Sequence, residues 1–309
     1  MSVLFFFSPC PLAAQRARYA NSELLNYIRG DNTDPACGVC LTAADRHIEA
    51  TTLERLQKRV TGMALVPGGK YLLGSPAGTG DPDEKPAAEI NLSAFYIDKN
   101  EVTLGDYLHF ARSTGGSYPE WSKPEGKFNI KTGSNKYYRR LEGITKTCDN
   151  CPVFGVTWED ANAYCRWKKR RLPTETEWEA AARGGSKEAF SFGPSETGAE
   201  AYAWLETNSG EIPHPVGTKK PNKYGLWDMH GNVWEWVSDV YNKAYYAARP
   251  ARNPQGPDSG TEHVIRGGSW ASDAYSARSG NRAGTIKPND DIGFRCSLSE
   301  TELSKKPGL

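Results

Sequence analysis

Four polar side chains suited either to binding a hard cation or to capping backbone amides, Asp228, Asn232, Glu235 and Asp239, share one stretch with Trp227, Trp234 and Trp236. It reads Gly225-Leu-Trp-Asp-Met-His-Gly-Asn-Val-Trp-Glu-Trp-Val-Ser-Asp239. The tryptophans need a core, and a carboxylate buried among them without a partner is costly. Calcium is one solution, because it draws on carboxylates and backbone carbonyls alike. The candidate ligands are the Asp228 and Glu235 carboxylates with the carbonyls of Gly231 and Val233. The other reading is a core turn whose carboxylates cap amides, since the spacing is not that of an EF-hand. Gly225 and Gly231 mark the bends.

Thiols and imidazoles are the other chemistry-bearing groups. Seven cysteines stand at 10, 37, 40, 148, 151, 165 and 296. Cys37-x-x-Cys40 and Cys148-x-x-Cys151 together have the composition of a four-thiolate zinc site. They also suit disulfides, within or between the pairs, in an oxidising compartment, or free thiols. Neither pair precedes a histidine, so haem attachment is unsupported, and no βαβ context suggests thioredoxin-like chemistry. Five histidines, at 47, 109, 214, 230 and 263, form no closely spaced metal motif. His214 and His230 read as hydrogen-bonded structural residues. Ser269, His230 and Asp228 can be written as a triad only on paper, because no nucleophile-elbow motif surrounds the serine.

The elements that must position these groups are short. With 31 Gly, 20 Pro and nine Trp among 309 residues, the chain reads as a loop-rich domain with aromatic packing rather than a helical bundle. A net charge of +1, from 38 basic against 37 acidic residues, favours neither nucleic acid nor an anionic membrane as partner. Residues 1–14 are apolar and end in small residues, as in an export signal lacking its basic start, and are too short for a transmembrane span. Residues 15–62 read as a helical prefix carrying Cys37 and Cys40, residues 63–298 as the main domain, and 299–309 as a polar tail. In the domain, 64–74 predicts a hairpin, 90–98 a strand, and 116–147 an irregular surface excursion. Thr103, Thr157 and Thr174 predict helix starts, with Gly115 and Gly184 as stops.

Eight segments in register resemble the formylglycine-generating enzyme family, also called the sulfatase-modifying factor domain. Besides the stretch above they are Met63–Ser75, Phe95–Thr103, Pro152–Ala161, Arg171–Glu179, His214–Gly217, Arg266-Gly-Gly-Ser-Trp270 and Gly293-Phe-Arg-Cys296. The resemblance implies an α+β, C-type-lectin-like fold with little regular secondary structure, stabilised by Ca2+ at positions matching Asp228, Gly231, Val233 and Glu235. It also implies a disulfide between Cys165 and Cys296.

The family's oxidases convert a client cysteine to formylglycine with two copper(I)-binding cysteines, placed five residues apart just beyond the Gly-Gly-Ser motif. Here those positions hold Ser272 and Ala277, and no cysteine lies between Cys165 and Cys296. Soft copper(I) wants thiolates, so no copper is expected. A related branch with a three-histidine iron site finds no matching motif. The resemblance then implies a groove lined by Trp234, Ser269, Trp270, Asn281 and Arg282 that takes a protein or peptide partner. The reading favoured by the sequence is a non-catalytic, extracytoplasmic (periplasmic or secreted) accessory protein. The alternative is an enzyme of altered chemistry in the same groove, such as a maturation factor for a cofactor or metalloprotein.

Overall fold

The computed structural model describes residues 54–304, apart from 117, 120 and 122–137. The expected leader (1–14), most of the prefix, and Cys37 and Cys40 lie outside the described residues. The chain divides into a unit of residues Gly62–Glu300 and a second of Met1–Thr61 with Thr301–Leu309. In the second, the Arg59 guanidinium donates to the carbonyls of Leu303 (2.7 Å) and Glu302 (3.1 Å), closing its helical segment onto the chain's far end.

The larger unit carries three small sheets. Strands β1 (Met63–Val66), β4 (Phe95–Asp98) and β9 (Ser297–Ser299) form one, with β4 central; β2 (Gly69–Leu73) and β3 (Ala88–Leu92) form a separate antiparallel pair. The expected hairpin over 64–74 is therefore corrected: β1 pairs with β4 (Val66 opposite Phe95), and β2 pairs with β3 (Leu73 opposite Ala88). The Pro67-Gly68 break separates β1 from β2, and the strand expected over 90–98 divides at Ser93-Ala94 between the two sheets. Alternation names a strand but not its partner.

The third sheet holds the signature stretch. β5 (Trp234–Val240) runs antiparallel to β6 (His263–Arg266) and parallel to β8 (Ile292–Phe294), while β7 (Ala283–Thr285) pairs with β6 at the edge. Register places Glu235 opposite both Arg266 and Gly293.

Three helices start where threonine spacing predicts. In α1 (Leu104–Thr114) the Thr103 hydroxyl accepts from the Asp106 amide, and the helix stops at Gly115 in the left-handed region. A further helix, α2 (Tyr138–Thr147), lies inside the stretch expected to be irregular. Its interior Gly143 and basic composition hide an apolar side, Leu141 and Ile144, that packs on the core. Helix α3 (Trp158–Trp167) is capped by Thr157, and α4 (Glu175–Arg183) by a reciprocal Thr174–Glu177 capping box. Two short helices, α5 (Tyr245–Ala248) and α6 (Glu300–Ser304), follow.

Two large apolar clusters lie within the unit. One joins α1, α3 and β8 through Tyr107, Phe110, Tyr164 and Phe294, with ring centroids 5.4–6.1 Å apart. The other surrounds the fully buried Trp178 with Leu73, Ile90, Ile97 and Val264. Disulfides join Cys165 to Cys296 and Cys148 to Cys151. Of the options for Cys148 and Cys151, the structure takes the disulfide within the pair. Among the described residues no helix is long and apolar enough to cross a membrane.

Candidate functional site

The signature turn is built from unusual backbone. Asp228 and Asn232 adopt φ of 60° and 68°, and Gly231 approaches the Trp204 carbonyl so closely that a Cβ would collide with its oxygen. This conformation carries Asp228 into the interior and delivers Glu235 onto β5.

Glu235 does not stand free as a ligand. Its carboxylate accepts from Arg295 Nε (2.8 and 3.0 Å) and Nη2 (2.8 Å), and from Trp178 Nε1 (2.8 Å). Arg295 occupies this place because it immediately follows β8, the parallel neighbour of β5, an adjacency that sequence spacing does not reveal. Of the four expected calcium ligands, Glu235 is thus the one already held by an arginine. Asp228 differs. Its Oδ2 accepts the Gly217 amide (2.7 Å), while Oδ1 is buried with no hydrogen-bond partner among the described residues. Burial pushes its carboxyl up to about 6.

Glu101, absent from the expected set, is the third member. It accepts from the Asn232 side-chain amide (2.6 Å) and the Val233 backbone amide (3.1 Å). Burial, then Asp228 and Glu235, hold it well above the usual carboxylate range. Among the described residues Arg295 is the guanidinium that acts on all three. Among the described residues, no three His, Cys, Asp or Glu side chains converge as a metal cage. A set of two carboxylates and two carbonyls lies below that count.

The residues expected to line a groove do not share an open surface. Ser269, Trp270, Asn281 and Arg282 are buried, and Trp234 is part-exposed. Arg282 makes a two-point ion pair with Glu175 (2.7 and 2.8 Å), and Asn281 donates to Asp81 (3.3 Å) and Glu84 (3.4 Å). Ser269 Oγ donates to Asp291 (2.8 Å) and meets Ser272 Oγ at 3.0 Å. Ala277 is fully buried in an apolar cluster with Phe190, Ala203 and Leu205.

His230 donates through Nδ1 to the Ala277 carbonyl (2.9 Å), and its Nε2 accepts the Ser191 amide (3.1 Å). It is therefore neutral, with burial lowering it to about 4. Ser269 is paired with Asp291 and His230 with Ser191, so no Ser-His-Asp triad forms.

A second buried ion network, centred on Glu179, was not read from the sequence. Glu179 takes Arg183 (2.7 and 2.9 Å), Arg266 (2.9 Å), the Tyr246 hydroxyl (2.7 Å) and the Gly74 amide (2.7 Å). The i,i+4 spacing of Glu179 and Arg183 was a usable signal. Arg266 is brought in only by the sheet.

The fold and these motifs define a formylglycine-generating-enzyme-like protein of the C-type-lectin-like class. Residues 49–299 match the sulfatase-modifying factor enzyme 1-like domain, and the chain belongs to that family. It is 34% identical over 280 residues to the formylglycine-generating enzyme of Streptomyces coelicolor, covering 76% of this chain and 88% of the relative. It is 33% identical over 278 residues to the inactive C-alpha-formylglycine-generating enzyme 2 of Mus musculus, covering 77% and 85%. The structure of PvdO from Pseudomonas aeruginosa superposes with a TM-score of 0.64 at 28% identity, covering 77% of this chain and 94% of that one.

Proposed function

We propose that this chain is a non-catalytic, extracytoplasmic accessory protein that binds a protein or peptide partner on a formylglycine-generating-enzyme scaffold. The observation that carries this reading is the chemistry at positions 272 and 277. Ser272 offers a hydroxyl already engaged with Ser269, and Ala277 offers a methyl group closed into an apolar cluster. No thiol in the intervening sequence replaces them, so a two-thiolate copper(I) centre has no ligands here. The likeness to a relative named as inactive agrees with this, and the two disulfides suit an oxidising compartment.

Structural calcium belongs to the same proposal. The unpartnered Asp228 Oδ1 and the excess of three carboxylates over one guanidinium fit a cation. Asp228 with the carbonyls of Gly231 and Val233 would hold it, and Glu235 would join only by yielding hydrogen bonds from Arg295. Bound calcium would supply charge neutralisation and no redox chemistry.

The test supplies purified protein with copper(I), oxygen and a Cys-x-Pro-x-Arg peptide. The expected result is no aldehyde above a copper-only control, and turnover above that control overturns the reading.

A further inference from the structure

The geometry points to a docking site for an extended, basic segment of a partner protein along the outer edge of β7, with an arginine or lysine side chain entering the cavity beside it. Asp81 of this surface touches Tyr275, but neither Ser272 nor Ala277 lines it, and the inference does not depend on the absence of oxidase activity.

Four observations carry it. First, β7 ends its sheet: it pairs with β6 on one side, and no described strand pairs on the other. Exposed edges are usually blunted by lysine, proline or a bulge. Lys287 and Pro288 stand just beyond β7, but Ala283-Gly284-Thr285 itself is small and uncharged, and the next residue, Ile286, is 65% exposed. An incoming strand would gain main-chain hydrogen bonds from such an edge.

Second, a cavity of about 590 Å³ opens alongside the edge, walled by Ala283 and Gly284 on one side and by Asp81, Asp83 and Glu262 elsewhere. Third, its charge is unbalanced. Arg282 lies in the wall but is committed to Glu175. Asp81 accepts from the neutral Tyr275 hydroxyl (3.0 Å) and Asn281 amide (3.3 Å), and Arg278, 4.0 Å away, is engaged by Glu84. Asp83 accepts the Tyr241 hydroxyl (2.7 Å), with Arg282 Nη1 4.0 Å away. Glu262 has no ion pair among the described residues, which leaves Lys243 as the only uncommitted cation in the lining against three carboxylates.

Fourth, the Tyr241 ring packs against Gly284, where any Cβ would collide with it. That ring gives the cavity an apolar wall suited to the stem of an arginine or lysine, or to a stacked guanidinium. Charge complementarity therefore selects the occupant: extended main chain along β7 and one cationic side chain among Asp81, Asp83 and Glu262.

The test titrates the full chain with acetyl-Thr-Val-Arg-Val-Thr-amide. Matched probes carry citrulline in place of arginine, N-methylated amides along one edge of the peptide, or arginine amide alone. Saturable binding is expected for the arginine peptide, weakening as salt rises. Binding should be lost with the citrulline and N-methylated peptides and be much weaker with arginine amide. Asp83→Asn and Glu262→Gln should each weaken binding about two- to fivefold, the range for a solvent-accessible pair. The inference is overturned if the arginine peptide does not bind, if citrulline binds equally, or if N-methylation or arginine amide leaves affinity unchanged. Because those probes alter the ligand and leave the protein intact, a variant that folds poorly does not obscure the answer. A positive oxidase assay would refute the proposed function and leave this result standing.

Discussion

Two groups of buried carboxylates in the same unit are balanced in opposite ways. Glu175 and Glu179 of α4 form ion pairs with Arg183, Arg266 and Arg282, and Arg249 also acts on Glu179. Burial alone would push the Glu179 carboxyl up, yet Arg183, Arg266 and Arg249 hold it down at about 2. Glu101, Asp228 and Glu235 share the single guanidinium of Arg295, with Lys219 acting weakly on Asp228, and there Glu101 and Asp228 move upward. Desolvation acts on both groups, and the supply of opposite charge decides the outcome. Glu179 reads as structure complete in itself, whereas the signature group, like Asp239 beside Glu175, which burial pushes up to about 7, calls for a proton or a cation.

The comparison breaks most forcefully at Glu179. Replacing it by alanine strands Arg183 and Arg266 in the interior, and breaking a buried pair this way costs about 3–5 kcal/mol. Denaturant midpoints measure it, and a loss near zero would show that the network is not balanced by Glu179.

Acid separates the regions next. His230, in the signature turn, is lowered from 6.5 to about 4, so the unfolded chain binds the extra proton between those values. Its contribution is full above pH 6.5 and is lost as pH falls toward 4. Glu179 is lowered from 4.5 to about 2, so its contribution is full above pH 4.5 and is lost between there and pH 2. Each step is worth about 3 kcal/mol. His230→Gln should remove the upper step and spare the lower one in stability measured against pH, and loss of both steps together would merge the two regions.

The smallest expected effect tests the cation. At free calcium about a hundredfold above its Kd, binding adds about 2.7 kcal/mol to the folded state. EGTA should therefore lower the Tm of the wild-type protein and not that of Asp228→Ala. An identical wild-type Tm with calcium and with EGTA would leave the proton as the only balance.

Local features were legible in the sequence because their causes are local. Thr103, Thr157 and Thr174 cap the helices they were expected to start, and the bends at Gly225 and Gly231 follow from glycine's freedom and the approach of the Trp204 carbonyl. The motif order that implied the family and its fold lies in the sequence as well, as does the absence of thiols at 272 and 277. Tertiary structure alone decided partners. It paired β1 with β4 rather than β2, set Arg295 against Glu235 through the parallel contact of β5 with β8, and brought Glu101 to Asn232 across 131 positions. A side chain's type states what it can bond to, but burial and opposing charge depend on which distant segments the fold makes adjacent. For that reason the sequence named Asp228 and Glu235 together, and only the fold gave one of them an arginine and left the other with a bare oxygen.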